Sequence, residues 1–361
     1  MTPAEAHSRN LQTGFESDPA QLALADRLTA LQRQLAATEN RGRFPFWMPW
    51  LAKRKPEPVR GLYLWGGVGR GKTYLMDLFH DTLRLGAKRR YHFHRFMHRV
   101  HADLGNLAGR ADPLEIVAER FAADARVLCF DEFYVSDIGD AMILGELLKG
   151  LFERGVTLVA TSNVEPRRLY ENGLQRRRFL PAIELIERHT EVVHVVGQTD
   201  YRLRVLQRGG IYRCDGDTQG LVASFRELCH AEVVEDADLV VNDREIRARY
   251  SAGDAVWFDF DALCKGPRSQ NDYIELARLY SAVVVHGIPV FDGEGESENW
   301  ARRFISLIDE FYDRGVKVLF CAAAPISALY QGNLLSKEFE RTKSRIAEMQ
   351  GSDYLRRMHR P

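Results

Sequence analysis

The sequence lacks net charge and paired cysteines, and each absence excludes a class of protein. Lysine plus arginine and aspartate plus glutamate both number 50, so the formal net charge is zero. No overall field therefore attracts DNA, RNA or an anionic membrane, and any such binding must come from a local patch. We expect no specific nucleic acid partner. The five cysteines lie far apart and include no CxxC pair, which fits neither a disulfide framework nor a zinc ribbon. We expect reduced thiols in the core and no structural zinc.

Long hydrophobic runs are also missing. Nowhere do about eighteen apolar residues follow one another, as a membrane-spanning helix requires. The first residues, MTPAEAHSRNLQTGFESDPAQ, contain no basic segment followed by an apolar one, which is the pattern of a secretory signal. We therefore expect a cytoplasmic protein with at most peripheral membrane contact. Its 361 residues, 45% of them hydrophobic, are enough for one large or two ordinary domains.

Four segments differ in pattern along the chain. We predict a disordered leader over 1–17, a helix and connector over 18–60, an α/β core over 61–197 and a C-terminal region over 198–361. The helix takes Asp18 as its N-cap and Pro19 as its first residue. The connector is rich in aromatic, proline and basic residues, and its rings either cover the sheet or contact a membrane or a partner.

Short apolar runs alternate with helical patterns in the core segment. The predicted strands are LYLW, YHFHRF, RVLCF, VTLVAT and EVVHVV. Their lack of polar alternation favours a mostly parallel sheet that helices cover on both faces. The fold class is therefore predicted to be α/β and doubly wound.

The C-terminal region repeats part of this pattern. Its stretch from YSAVVVHGIPVFD to VKVLFCAAAPI has the same order of strand, acidic loop, helix and strand as the stretch from ARVLCFDEF to VTLVATSN. The region either adds strands to the core sheet or forms a degenerate second unit, unless the shared order is only the chance result of alternating strands and helices. It ends in SKEFERTKSRIAEMQGSDYLRRM, which predicts a basic amphipathic lid helix with a short continuation.

The segment LYLWGGVGRGKTYLMDLF carries a P-loop in the context that this motif requires. A hydrophobic strand precedes the glycines, and a helix with an apolar face follows them. In a P-loop, backbone N–H groups surround a phosphate, the lysine reaches the β- and γ-phosphates, and the threonine hydroxyl binds Mg²⁺. The predicted nucleotide-binding residues are Gly66, Gly67, Val68, Gly69, Arg70, Gly71, Lys72 and Thr73.

A second acidic element follows about sixty residues later, in RVLCFDEF. We expect Asp131 to hold Mg²⁺ together with Thr73, and Glu132 to polarise a water for attack on the γ-phosphate. At the end of the next predicted strand, Asn163 either contacts the γ-phosphate or the attacking water, or only caps the strand.

Arginine clusters supply further candidates. Arg176, Arg177 and Arg178 precede an apolar helix, and guanidinium groups there either act as arginine fingers on a neighbouring subunit or form a solvated basic patch. In the C-terminal helix, Arg341 and Arg345 lie four residues apart and could close over the same nucleotide.

The order of P-loop, CFDEF, ATSN and arginine cluster resembles an AAA+ ATPase. Several longer segments are similar to the ZapE cell-division ATPase family and its mitochondrial relatives over about residues 18 to 355. These segments are GLYLWGGVGRGKTYLMDLF, HFHRFMHRVH, LCFDEFYVSDIGDAMIL, TSNVEPRRLYENGLQRRRFLPAI, ARRFISLIDEFYD and FERTKSRIAEMQ.

The resemblance implies a Mg²⁺-dependent ATP hydrolase that acts as a homo-oligomeric ring. It implies that the client is the FtsZ filament at the bacterial division septum, whose polymer stability the protein lowers in the presence of ATP. Protein quality control, as in the mitochondrial relatives, is an alternative. A helicase loader or another ATPase of nucleic-acid machinery is a further alternative, since the same core motifs serve both uses.

The resemblance also assigns roles to individual residues. It implies phosphate binding by Gly66–Thr73, Mg²⁺ binding and hydrolysis by Asp131 and Glu132, and a first sensor at Asn163. Arg176 and Arg178 are the implied finger candidates, with Arg302 and Arg303 as rivals. Arg345 is the implied second sensor.

The stretch RRYHFHRFMHRVH contains four histidines within ten positions. It offers neither a carboxylate nor a cysteine, so a zinc site is not expected. His92 and His94 are expected on a strand near the nucleotide. Phe96 and Met97 are expected either in the core or in a loop that grips the client in the channel of an AAA+ ring.

Overall fold

The chain is represented by a computed structural model. The structure describes residues 1–12, 19–41, 57–67, 70–196, 206, 210–214, 217–229, 233–242, 244–357 and 359–360. The chain divides into two compact units, Met1–Gln198 and Thr199–Pro361. The division falls one residue from the predicted end of the α/β core.

The first unit contains a five-stranded parallel sheet and seven α-helices within its described residues. Its elements are α1 (Pro3–Gln12), α2 (Pro19–Arg41), β1 (Gly61–Trp65), α3 (Lys72–Thr82), β2 (Lys88–His92), α4 (Phe93–Gly105), α5 (Pro113–Asp124), β3 (Val127–Asp131), α6 (Ile138–Glu153), β4 (Thr157–Ser162), α7 (Leu180–His189) and β5 (Thr190–His194). The strand order is β2-β3-β4-β1-β5, and all four neighbouring pairs are parallel. This sheet and its covering helices confirm the predicted α/β fold class.

Alternate residues of each buried strand serve two different cores. In β3, Cys129 packs with the leucines of α2 and with Leu75 and Phe79 of α3. The next residue, Phe130, packs with Phe96 of α4 and with α5, α6 and α7. Because successive side chains of a strand point to opposite faces, an apolar run is what a sheet covered on both sides requires.

The leader differs from its prediction. Residues Pro3–Gln12 form α1, where His7 is fully buried and its Nδ1 lies 2.9 Å from the Tyr74 hydroxyl on α3. The expected disorder over 1–17 is therefore wrong for α1, because this helix covers apolar surface of α3. The second helix begins at Pro19 as expected. Most of the connector, residues 42–56, lies outside the described residues, as do 13–18.

The strand expected over YHFHRF is also displaced. The structure forms β2 from Lys88–His92 and begins α4 at Phe93, so His94 is helical. Phe96 and Met97 are 0% and 1% exposed, and Phe96 packs against the rings of Phe121 and Phe130. The two side chains belong to the core, and the expectation that they contact a client is wrong.

The second unit builds a sheet of its own. Its elements are β6 (Tyr212–Arg213), α8 (Thr218–Leu228), β7 (Val234–Val241), β8 (Arg244–Ala252), β9 (Ala255–Asp259), α9 (Gln270–Leu279), β10 (Ala282–Ile288), α10 (Gly295–Asp313), β11 (Lys317–Ala322), α11 (Ser336–Met349) and α12 (Ser352–Leu355). The strand order is β6-β11-β10-β9-β8-β7, with β7, β8 and β9 antiparallel and the others parallel. The region is thus an α/β unit rather than a purely helical lid.

The parallel part of this second sheet has the topology of the first. The order β6-β11-β10-β9 corresponds to β1-β4-β3-β2, and a helix follows the first strand in both units. After the last of these strands, each unit has a 3₁₀ turn and then a Leu-Tyr pair, Leu169 with Tyr170 and Leu329 with Tyr330. The C-terminal strands therefore form a sheet of their own and do not extend the core sheet.

Candidate active site

The P-loop joins β1 to α3 at the carboxyl end of the sheet. Gly66 has φ of 155°, and its N–H donates to the carbonyl of Ser162 at the end of β4, 3.2 Å away. A Cβ on Gly66 would meet the Val195 carbonyl oxygen at 2.6 Å, so a side chain cannot fit there. Val68 and Gly69 lie outside the described residues.

Lys72 opens α3 and points back into the loop. It is 9% exposed, and its Nζ donates to the carbonyl oxygens of Gly66 at 2.8 Å and Gly67 at 2.6 Å. The ammonium group is therefore held inside the glycine loop, at the N-terminus of a helix where phosphate binds favourably. Thr73 follows in the first helical turn and is half-buried.

The acidic pair ends β3. Asp131 is its last residue and is 4% exposed. Glu132 has φ of 51°, a left-handed conformation that is unusual for a residue with a side chain and is often found at functional sites. Its backbone N–H donates to the Thr161 hydroxyl of β4, 3.2 Å away.

The end of β4 joins the P-loop to the acidic pair. Its Thr161 carbonyl accepts from Phe133 N–H at 2.7 Å, while its Ser162 carbonyl accepts from Gly66 N–H. Asn163 follows directly and is half-buried. The strand order therefore brings together the predicted phosphate loop, acids and sensor, which lie about a hundred residues apart in sequence at most.

Arg90 is a site residue that the sequence reasoning missed. It lies on β2, and its Nε donates to Asp131 Oδ2 at 2.6 Å while its Nη2 donates to Oδ1 at 3.3 Å. Its Nη1 donates to Asp77 Oδ1 of α3 at 2.5 Å. The one sequence signal was a basic residue in KRRYH, just ahead of the strand expected over YHFHRF.

Burial controls the charge of this cluster. It raises the pKa of Asp77 to about 6, against the lowering effect of Arg90. Burial also acts to lower the pKa of Arg90, but the attraction of Asp131 and Asp77 exceeds that effect and raises it. The guanidinium is thus charged throughout the physiological range, and Asp77 titrates nearer neutrality than an ordinary aspartate.

The finger candidates lie on a 3₁₀ turn, Arg176–Arg178, between β4 and α7. Arg176 is half-buried, and its Nη2 donates to the Arg167 carbonyl at 2.5 Å. Arg177 and Arg178 are exposed. An exposed guanidinium is available to a second molecule, which is the property that a finger needs.

The remaining arginine candidates lie in the second unit. Arg345 of α11 pairs with Asp309 at 2.5 Å and with Asp313 at 3.6 Å, and Arg341 pairs with Asp309 at 2.6 Å. Arg303 donates to the Cys264 carbonyl at 3.0 Å, and Arg302 is exposed. The described partners of Arg345 all belong to its own unit, so its role as a second sensor stays a prediction.

The residues present at the P-loop fit a nucleotide. Gln21 of α2 is 3% exposed, its Oε1 has no hydrogen-bond partner among the described residues, and its Nε2 would lie 2.6 Å from a Cβ on Gly71. His92 Nδ1, at the end of β2, is likewise buried and unpaired. Buried polar atoms without partners are rare and are expected where a ligand supplies the missing bond. Asp131 and Thr73 offer the oxygen ligands that Mg²⁺ prefers.

The described residues also bear on membrane insertion and on metal binding by clustered side chains. No helix in the described ranges is long and apolar enough to cross a membrane. No group of three or more histidine, cysteine, aspartate or glutamate side chains there could hold a metal ion. Cys129, Cys264 and Cys321 are buried, whereas Cys214 is exposed.

Comparison with known proteins indicates the same class of function as the residues of the site. The model of the family described as AFG1-like ATPase matches residues 1–358. The "Cell division protein ZapE" of Escherichia coli (strain K12) is 49% identical over 308 residues, which cover 84% of this chain and 82% of that protein. The "Lactation elevated protein 1 homolog B" of Danio rerio is 36% identical over 349 residues, 83% of this chain and 69% of that protein.

Among solved structures, the chain is similar to the crystal structure of DnaI, with a TM-score of 0.35 and 17% identity, over 52% of this chain and 90% of that chain. The family match spans nearly the whole sequence and includes both units. The resemblance to an ATPase family that the motifs indicated is therefore confirmed. The chain belongs to the AFG1-like ATPase family and is an ATP hydrolase.

Proposed function

We propose that ATP is hydrolysed at the junction of β1, β3 and β4, with the γ-phosphate between Lys72 and Glu132. The observation that supports this most is the pair of hydrogen bonds that carbonyls at the end of β4 accept, one from Gly66 N–H and one from Phe133 N–H. They hold the phosphate loop and the acidic pair together at the carboxyl end of the parallel strands. Catalysis of phosphoryl transfer depends mainly on such positioning and on charge stabilisation.

Each residue has a defined part in this proposal. Lys72 exchanges its two carbonyl partners for phosphate oxygens, Glu132 polarises the attacking water, and Asn163 contacts that water or the γ-phosphate. Thr73 and Asp131 hold Mg²⁺. When bound, Mg²⁺ neutralises phosphate charge that develops in the transition state. The left-handed backbone of Glu132 sets the direction in which its side chain leaves the main chain. The Thr161 hydroxyl holds that backbone by accepting a hydrogen bond from Glu132 N–H.

The variant Glu132→Gln tests the role of the base. The amide keeps the size of the side chain but cannot accept the water proton, so turnover should fall by about 10²–10⁴-fold with ATP still bound. Phosphate release measures turnover, and a fluorescent ATP analogue measures binding. Lys72→Ala is the matched control, because it should lose binding as well as turnover. Unchanged turnover in Glu132→Gln would contradict the proposed role.

We propose that hydrolysis remodels a protein client, the FtsZ filament, and that the protein moves from the cytoplasm to the division septum. The support is the 49% identity to a relative whose name is "Cell division protein ZapE", together with the long motifs shared with that family. The hydrolysis cycle would supply the free energy that weakens the polymer.

Sedimentation of FtsZ polymers tests this client. With ATP, the wild-type protein should lower the sedimented fraction, and Glu132→Gln should not. A fluorescent fusion should concentrate at the septum of dividing cells. Stimulation of the ATPase rate by single-stranded DNA but not by FtsZ would instead support the nucleic-acid alternative. Rescue of damaged-protein clearance without any effect on FtsZ would support quality control.

We also propose a homo-oligomeric ring in which Arg176 or Arg178 completes the site of the neighbouring subunit. An arginine finger raises turnover by about 10³–10⁵-fold, so a variant without it should be almost inactive. Mixing two inactive variants tests the proposal. Arg178→Ala keeps its own acids, and Glu132→Gln keeps its own arginines. A mixture should regain activity, because some interfaces then pair an intact acid with an intact finger.

Arg176→Ala is tested in the same mixture, and Arg177→Ala is the neighbouring control that should remain active alone. Activity per subunit should also rise with protein concentration if the finger acts between subunits. A mixture without activity, together with a rate per subunit that is independent of concentration, would exclude fingers in trans.

A further inference from the structure

Arg90 binds both oxygens of the acid that is proposed to hold Mg²⁺. Its Nε and Nη2 donate to Asp131 at 2.6 Å and 3.3 Å, and the side chain of Asp131 is 6% exposed. A carboxylate that accepts two hydrogen bonds from one guanidinium is satisfied in both charge and geometry. The Arg90 guanidinium therefore neutralises the charge of Asp131 in the protein without metal.

A second acid shares the same guanidinium. Asp77 Oδ1 accepts from Arg90 Nη1 at 2.5 Å, and its Oδ2 is buried and accepts no hydrogen bond from any residue that the structure describes. Asp77 lies one helical turn after Thr73 on α3, on the same side of the sheet as Arg90 and Asp131. The two ionised carboxylates with Arg90 carry a net charge of −1, whereas without Arg90 they would carry −2.

We propose that Arg90 is a positioning residue that occupies the place of a cation between Asp131 and Asp77, so that Mg²⁺ binds with the nucleotide and not before it. With Mg²⁺ and ATP bound, Arg90 would release Asp131 and keep its bond to Asp77. The inference rests on the proposed Mg²⁺ role of Asp131. It adds a residue that sets when the metal binds and how tightly.

Removal of the guanidinium charge is the first test. Arg90→Gln leaves two buried carboxylates close together with no counter-charge, which is an oxygen-ligand site for a hard divalent cation. We expect the nucleotide-free variant to bind one Mn²⁺ per chain, measured by the loss of the free Mn²⁺ signal in electron paramagnetic resonance. The nucleotide-free wild-type protein should leave that signal unchanged. The double variant Asp77→Asn with Arg90→Gln should bind Mn²⁺ at least about tenfold more weakly.

Arg90→Lys is the conservative control. It restores a single positive charge, although a lysine cannot donate to both carboxylates in the fixed geometry of a guanidinium. We expect it to exclude Mn²⁺ from the nucleotide-free protein as the wild type does. Stoichiometric Mn²⁺ binding by the nucleotide-free wild type, or a folded Arg90→Gln variant that binds none, would overturn the proposal.

Asp77→Asn supplies a second test, in case Arg90→Gln does not fold. It is nearly the same shape as the wild type, but Arg90 then has Asp131 as its only carboxylate in the cluster. The Mg²⁺ concentration for half-maximal strengthening of ATP-analogue binding should rise by about tenfold. The affinity for the analogue in excess EDTA should not change. An unchanged or lower Mg²⁺ midpoint would overturn the proposal.

The two proposals fail in different ways. If Mg²⁺ does not strengthen binding of the analogue to the wild type, the proposed Mg²⁺ site is wrong. If Mg²⁺ strengthens it with the same midpoint in wild type and Asp77→Asn, the Mg²⁺ site stands and the role of Arg90 is wrong.

Discussion

A side chain at position 71 would be strained both by the backbone and by its neighbour. Gly71 has φ of 77°, and an added Cβ would lie 2.6 Å from Gln21 Nε2. The left-handed conformation alone costs a residue with a Cβ about 1–2 kcal/mol. We expect Gly71→Ala to lower the free energy of unfolding by at least this amount and to abolish ATP binding.

Chemical unfolding and a fluorescent ATP analogue measure the two effects of Gly71→Ala. Gly86→Ala is the matched control, because nothing lies within 4 Å of a Cβ there. A second variant, Gln21→Ala with Gly71→Ala, should regain part of the stability by removing the contact. If Gly71→Ala is as stable as Gly86→Ala and binds ATP normally, the strain argument is wrong.

Asp77 should give the protein a pH-dependent stability. Burial raises its pKa in the folded state to about 6, from 3.8 for an ordinary aspartate. Between these values the folded state binds more protons than the unfolded state, so the free energy of unfolding falls as pH rises. The contribution of this one group is about 1–3 kcal/mol.

The variant Asp77→Asn isolates that contribution. It should remove the decrease between about pH 4 and pH 6, because an amide does not titrate. Urea unfolding at several pH values measures the slope for both proteins. Parallel slopes for wild type and variant would show that Asp77 does not titrate in this range.

At the scale of the element, α1 is anchored to the P-loop helix by one hydroxyl. Tyr74 OH contacts His7 Nδ1 at 2.9 Å and accepts from Asn10 Nδ2 at 3.2 Å. We expect Tyr74→Phe to lower the free energy of unfolding by about 1–3 kcal/mol, because both partners lose a hydrogen bond and His7 is fully buried.

Thermal unfolding measures the loss in Tyr74→Phe, and Tyr91→Phe is the control. Within the described part of the chain, the Tyr91 hydroxyl accepts one exposed hydrogen bond, from Arg99 at 3.2 Å, so its loss should change the free energy of unfolding by less than about 0.5 kcal/mol. Equal effects of the two changes would mean that α1 does not depend on Tyr74.

The boundary between β2 and α4 explains why the element was placed wrongly from sequence. Alternating aromatic and histidine residues in YHFHRF have the period of a strand. Phe93 and Phe96 of this segment, with Met97 and Val100 just after it, also have the spacing of a helix face, and all four are buried in α4. Over six residues both periods fit, and the packing of α4 against β3 decided between them.

At the scale of the molecule, one unit has the proposed catalytic residues, and the other shares the topology of its parallel strands without them. Val127 is paired with the first residue of β4, and Ala282 with the first residue of β11, so the two positions are equivalent. Counting along the strands from these pairs, Asp131 corresponds to His286 and Asn163 to Ala323. In sequence, the segment between β6 and α8 is CDGD, Cys214–Asp217. It lacks the glycine, lysine and serine or threonine with which a P-loop ends. The second unit therefore has no Walker-type residues at these positions.

The molecule should consequently bind one ATP per chain. Equilibrium dialysis with a non-hydrolysable analogue measures the stoichiometry, and Lys72→Ala should reduce it from one to none. Two bound nucleotides per chain, or one that persists in Lys72→Ala, would show that the second unit binds nucleotide through other residues.

The sequence alone determined the elements whose information is local. The spacing of Gly66, Gly71 and Lys72, and the apolar strand ahead of Asp131, predicted the phosphate loop and the acids because their chemistry requires those residues at that spacing. Apolar runs between helical patterns predicted the α/β class because burial of both sheet faces leaves no polar alternation.

Only the tertiary structure decided the contacts between distant residues. Arg90 and Asp131 meet across 41 positions of sequence, and His7 and Tyr74 across 67. Their meeting depends on the strand order and on helix packing, which arise from burial of the whole core and leave no local pattern. For the same reason the sequence left open whether the C-terminal strands joined the first sheet, whereas packing gave them a sheet of their own.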